Sequence, residues 1–157
     1  TLFRSFYVNK EFFVLVDEGI GSAAGSANLS FNLCRYESEV EYDANEMGAH
    51  TTFTDNNIVV RTFTNETATF NEMEGRVAYV VKNDVFDKRK AYQIKINKLA
   101  NKTARFITVI YPCKKTEGQT IEAVFTDNGY SANGASIKVT INGIEYPLSY
   151  ILQSNNF

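Results

Sequence analysis

The sequence predicts an all-β protein: a two-sheet antiparallel β-sandwich of about eleven strands, with little or no helix. Three observations carry that prediction. Apolar residues recur at every second position along most of the chain, the period of strands with one buried face. Residues that favour turns separate these runs at short intervals. The chain holds 12 Phe and 9 Tyr but only 2 Pro and no Trp, and Phe and Tyr favour pleated, half-buried surfaces.

The opening "TLFRSFYV" already reads as a strand. A natural chain rarely begins inside an element, so the expectation is a fragment whose N-terminal portion, with any targeting signal, lies elsewhere. "FYVNKEFFVLVDE" reads as a hairpin turning at Asn9-Lys10, and "EGIGSAAGSA" as a small-residue loop. "NLSFNLC" puts Leu29, Phe31 and Leu33 on one face. The acidic run "CRYESEVEYDANEMG" alternates Glu37, Glu39, Glu41 and Asp43 with Val40 and Tyr42, carries Glu46 further on, and suits a solvated loop or an edge. "TTFTDNNIVVRTF" turns at Asp55–Asn57. "AYQIKIN" alternates Tyr92, Ile94 and Ile96, and "NKLANK" has room for one helical turn. "TARFITVIYP" is apolar throughout and fits a central strand covered on both sides. After the loop "TDNGYSANGA", "ASIKVTIN" alternates Ile137, Val139 and Ile141. Asn142-Gly143 then lies between two alternating runs, the strongest short-range hairpin signal. Pro147 confines the last strand to an edge or a bulge. Phe106 joins these alternating residues in the expected core, and residues 1–157 read as a single β-sandwich domain.

Composition excludes some functions. A net charge of −2 argues against non-specific nucleic-acid binding, which needs a basic face. No apolar run is long enough for a membrane-spanning helix. Cys34 and Cys113 form no disulfide framework, and with one histidine they cannot supply four zinc ligands. No phosphate loop, nucleophile elbow, cofactor motif or metal-binding helix is present, so neither cofactor nor metal is expected.

His50 is the only histidine, and histidine is the side chain best suited to moving protons near neutral pH. A general base needs an orienting partner and a cleft. "AHTTFTDNN" offers hydroxyls and Asp55 but no triad. Alternation there places His50, Thr52 and Thr54 opposite Thr51 and Phe53. With Phe53 in the core, His50 faces outward, either as an ordinary surface residue or toward a cleft. Asp17-Glu18 closes an apolar strand beside a glycine-rich loop, where acids either cap the turn or hold a metal. Asn28, Asn65 and Asn101 begin Asn-x-Ser/Thr triplets, which matter only in a eukaryotic secretory setting.

The stretch "RSFYVNKEFFVLVDEGIGSAAGSANLSFNLC", with "AHTTFTDNN" and "ARFITVIYP", resembles the C-terminal β-sandwich of heparinase II/III-type polysaccharide lyases, in the heparinase III branch. The resemblance runs over residues 3–150. It implies a parent enzyme in which an N-terminal helical toroid packs against β-sandwich regions. Such enzymes cleave uronic-acid-containing glycans such as heparan sulfate by β-elimination. One group neutralises the uronate, a Tyr or His base takes the C5 proton, and an acid protonates the leaving oxygen. The resemblance puts the Asn and Tyr of that machinery in the toroid. No catalytic residue is therefore assigned here, and the isolated chain is expected to be inactive. His50 is the one residue here able to contribute to the cleft, with Arg61 joining it if the hairpin register allows. These two are the substrate-binding candidates. A periplasmic or secreted location is likewise implied. The alternatives are a stand-alone carbohydrate-binding module, favoured by a planar row of Tyr rings, and a cell-surface adhesion sandwich. A large exposed apolar patch on one sheet favours the lyase reading.

Overall fold

The computed structural model describes residues 2–36, 39–75, 89–129 and 134–151. Twelve strands run through these residues, with no helix among them: β1 (Leu2–Val8), β2 (Phe12–Gly19), β3 (Gly25–Tyr36), β4 (Val40–Asp43), β5 (Gly48–Thr51), β6 (Asn57–Thr64), β7 (Ala68–Gly75), β8 (Arg89–Lys98), β9 (Ala104–Cys113), β10 (Ile121–Phe125), β11 (Gly134–Ile141) and β12 (Ile144–Ile151). They form a six-stranded sheet ordered β1-β2-β9-β6-β5-β4 and two three-stranded sheets, β3-β8-β7 and β10-β11-β12. All strand pairs are antiparallel.

The all-β antiparallel fold is the predicted one, but the sandwich has a sheet on each face of a central sheet. Val14, Val16, Val59, Ile107 and Val109 on one face pack with Ile121, Ile137, Val139 and Ile141 of the β10-β11-β12 sheet. Ala49, Ala104 and Phe106 on the other face pack with Tyr92, Ile94 and Ile96 of β8. β9 serves both cores because adjacent residues of a strand point to opposite faces: Phe106 enters one and Ile107 the other. Its near-continuous apolar run is the signature of that central place. Of the expected core, Leu29 and Phe31 are half-buried against the β8 side, and the side chain of Leu33 lies outside the described residues.

Turn chemistry fixes the hairpins. Asn9 and Lys10 both take positive φ, 48° and 62°, and the Glu11 amide donates to the Val8 carbonyl. Asn142 and Gly143, at 51° and 81°, join Ile141 to Ile144 directly. Positive φ at both central residues is the type I′ pattern, whose twist matches that of the strands. Pro147 lies on β12, an edge strand, as its missing amide hydrogen requires. The acidic run supplies the edge strand β4, and Glu37 lies outside the described residues. "NKLANK" forms a β-turn, not a helical one: Lys102 donates to the Leu99 carbonyl and Asn101 takes φ of 59°.

Candidate functional site

Among the described residues, three places hold chemistry of interest. The first is a buried charge cluster between the central sheet and the β10-β11-β12 sheet. Arg105 of β9 and Glu18 of β2 are strand partners whose side chains are both buried. Arg105 Nε donates to Glu18 Oε1 at 2.7 Å, and its Nη1 and Nη2 donate to Asp127 Oδ1 and Oδ2 at 2.6 and 2.9 Å. The guanidinium lies 3.7 Å from the Phe125 ring centroid. Asp127 also accepts from the Gly129 and Ser136 amides. The Tyr150 hydroxyl donates to Glu18 Oε2. Burial alone would depress the Arg105 pKa, but its bonds to Asp127 and Glu18 outweigh that and raise it. The hydrogen bond from Arg105 holds the Asp127 carboxyl below its ordinary value. Burial, then the bond to Glu18, pushes the Tyr150 phenol up. All three guanidinium nitrogens are engaged within the fold, so the cluster is a tie between sheets.

Glu18 is thus the carboxylate of a buried ion pair and not a turn cap. Glu18 shares its face with Phe12, Val14 and Val16, and a buried carboxylate there needs a cation. Asp17 points the other way, and burial raises its pKa. The signal for Arg105 was legible: it has the parity of Ile107 and Val109, so a charge had to enter the core with a partner.

The second place is the edge formed by β4, β5 and β6, which holds both substrate-binding candidates. His50 pairs across strands with Glu41 and Val59, whereas Arg61 pairs with Gly48. The hairpin thus brings them into one sheet but not directly opposite each other. His50 Nε2 lies 3.5 Å from Glu41 Oε2, and its side chain is 21% exposed. Arg61 Nη1 lies 2.9 Å from Asp43 Oδ2 and its Nε 3.5 Å from Glu46 Oε2, with the side chain 12% exposed. Burial pushes the Tyr92 phenol up, and the neighbouring Arg61 charge pulls it the other way. The expected alternation through Phe53 does not occur. β5 ends at Thr51, and the chain then bends around buried Asn57. Asn57 Oδ1 accepts from the Phe53 amide at 2.7 Å, and its Nδ2 donates to the Phe53 and Lys114 carbonyls at 2.9 Å. Amide side chains pair with local backbone in this way and so compete with strand extension.

The third place is an exposed apolar area on the central sheet, on the face opposite Phe12, Val14 and Val16. Cross-strand partners share a face, and the register runs Tyr7–Phe13–Ile110–Val60, with Ile58 beside Pro112. Phe3 is 52% exposed, Tyr7 59%, Phe13 42% and Ile58 42%. Tyr7 and Phe13 stack with centroids 4.6 Å apart. The β3-β8-β7 sheet covers the Ala104 and Phe106 part of this face and leaves these residues open. Contiguous apolar exposure of this kind marks an interaction surface.

Cys113 is a half-buried free thiol whose pKa burial raises, and the Cys34 side chain lies outside the described residues. Asn65 ties the loop after β6 to β9, donating to the Thr103 carbonyl and accepting from the Arg105 amide.

No family model matches the chain. A heparin-sulfate lyase of Bacteroides thetaiotaomicron is 52% identical over 150 residues, 94% of this chain and 21% of that protein. A heparin-sulfate lyase of Bacteroides stercoris is 28% identical over 149 residues, 22% of its length. A crystal structure of Heparinase III superposes with a TM-score of 0.88 at 52% identity, over 94% of this chain and 23% of that one. A second Heparinase III structure gives 0.83 at 31% identity over the same shares. The chain thus spans about a fifth of the length of these relatives. In sequence and in fold, it is homologous to one region of the heparin-sulfate lyases of the heparinase III branch.

Proposed function

We propose that the chain is the C-terminal β-sandwich region of a lyase that cleaves heparan-sulfate-like glycans by β-elimination. In this reading it packs on a helical toroid of the same polypeptide and closes one wall of the substrate cleft. The observation that carries the reading is the open apolar area around Tyr7, Phe13 and Ile58. An aliphatic and aromatic surface on an otherwise covered sheet calls for an apolar partner, not for a sugar platform of ranked Tyr rings. A periplasmic or secreted location follows from the extracellular source of such glycans.

His50 and Arg61 divide the edge between them. His50 lies 3.5 Å from Glu41, a largely exposed carboxylate, and in this reading turns its partly exposed imidazole to the glycan. Arg61 spends its charge on Asp43 and Glu46 and holds the β4–β5 turn. The decisive assay follows ultraviolet absorbance of the unsaturated uronate product. The full-length protein is expected to form product from heparan sulfate, and the isolated chain to form none. Reproducible product from the isolated chain overturns the assignment of the chemistry to the toroid.

A further inference from the structure

The β3-β8-β7 sheet has an outer face with an unusual make-up. Leu29, Phe31, Tyr92, Ile94, Ile96 and Phe70 point inward. Alternate positions therefore point out. Register aligns Asn28, Lys95 and Thr69 in one row, and Ser30, Gln93 and Asn71 in the next. Gln93 Nε2 donates to Ser30 Oγ at 3.2 Å. These six are amides, hydroxyls and one ammonium, without a carboxylate, in a chain with 18 acidic and 16 basic residues. Strand spacing makes the two rows about 10 Å wide and about 7 Å apart, the scale of two linked pyranose rings.

We propose that this face is a second contact surface for the anionic glycan, separate from the β4–β6 edge and from the apolar area. Side-chain amides present a donor and an acceptor in one plane, which suits vicinal sugar hydroxyls. Lys95, at the centre of its row, takes a sulfate or a carboxylate. With no carboxylate among these six residues, a polyanion meets less repulsion there than elsewhere on the chain. The inference rests on the lyase reading for its ligand. Its role is to hold a long chain beside the cleft, so it affects polymers and not short fragments.

The test uses the full-length protein with Lys95→Glu, and separately with Gln93→Ala and Asn71→Ala together. These side chains point to solvent, so melting temperatures should be unchanged. On polymeric heparan sulfate KM is expected to rise about fivefold or more with kcat unchanged, and Lys95→Arg should restore it. On a heparan sulfate tetrasaccharide neither constant should move. A polymer KM within about twofold of the parent value, or an equal loss on both substrates, overturns the inference. Should the parent protein not cleave heparan sulfate, the lyase reading fails on its own, and retardation in a gel containing heparan sulfate decides this one. Retardation lost in Lys95→Glu supports it. Retardation absent in the parent, or undiminished in the variant, overturns it.

Discussion

A single buried ion cluster ties together segments distant in sequence. Arg105 joins β2 through Glu18 and the chain after β10 through Asp127, and Tyr150 of β12 closes on the same Glu18. Removing one partner of a buried pair leaves an uncompensated charge, so Arg105→Met should cost about 3–5 kcal/mol in chemical denaturation. Adding Glu18→Gln to that variant should recover part of the loss, because the stranded carboxylate is gone. The same cluster sets an acid limit. The Asp127 carboxyl sits below its ordinary value in the folded state, so its contribution is present above the unfolded aspartate pKa of about 4 and is lost as pH falls through the folded value. Melting temperature should therefore drop below about pH 4, and by less in Asp127→Asn. The parity of Glu18 and Arg105 announced two buried charges in the sequence. Their pairing was hidden, because 87 positions separate them and only the sheet order brings them together. At the opposite edge, Arg61→Ala should lower stability, since it strips Asp43 and Glu46 of their cation. If His50 faces the glycan as the lyase reading has it, His50→Ala in the full-length protein should show the reverse split, an intact melting temperature with kcat/KM reduced about 100-fold. A change below about threefold returns His50 to its contact with Glu41.

The strands were legible where alternation was clean and turn residues bounded it. β11 and β12 follow from Ile137, Val139, Ile141 and the Asn142-Gly143 turn, since a type I′ turn fixes register without help from the rest of the fold. Alternation overstates the length of β5 because Asn57 acts through its side chain, which a binary pattern does not register. Glycine also carries information that alternation ignores. A Cβ on Gly48 would lie 1.9 Å from the Val60 carbonyl oxygen, whereas a Cβ on Gly143 meets nothing within 4 Å. The two positions therefore resist substitution for different reasons. Gly143→Val suffers only from its positive φ and should cost more than about 1 kcal/mol. Gly48→Ala collides with backbone that cannot rotate away, so β5 must part from β6, at a cost of about 3 kcal/mol or more. Denaturant midpoints of the two variants, with Gly143→Asn as a control that tolerates positive φ, test the ranking. An equal loss for Gly48→Ala and Gly143→Asn would contradict it.

Period two assigns residues to two faces but does not say what covers each face. That is why the strands were legible while the sheets on both sides of a central one were not. The run "FFVLV" of β2 shows the ambiguity most clearly. Phe12, Val14 and Val16 go to a core, and Phe13 goes to the surface beside Tyr7. A strand that needed only one buried face would place a polar residue at 13. The apolar side chain there makes physical sense if a further layer covers it in the full-length protein, much as the β3-β8-β7 sheet covers Phe106. Burying a Phe side chain is worth about 1.5–3 kcal/mol, and a carboxylate in its place must also be desolvated without a partner. Phe13→Asp should therefore destabilise the full-length protein by about 2 kcal/mol or more, with easier proteolysis at the junction between regions. In the isolated chain the same residue faces water. There the substitution removes only the ring contact with Tyr7, and should change stability by less than about 1 kcal/mol. Equal losses in the two contexts would mean that nothing covers this face, and would take away the observation on which the proposed function rests.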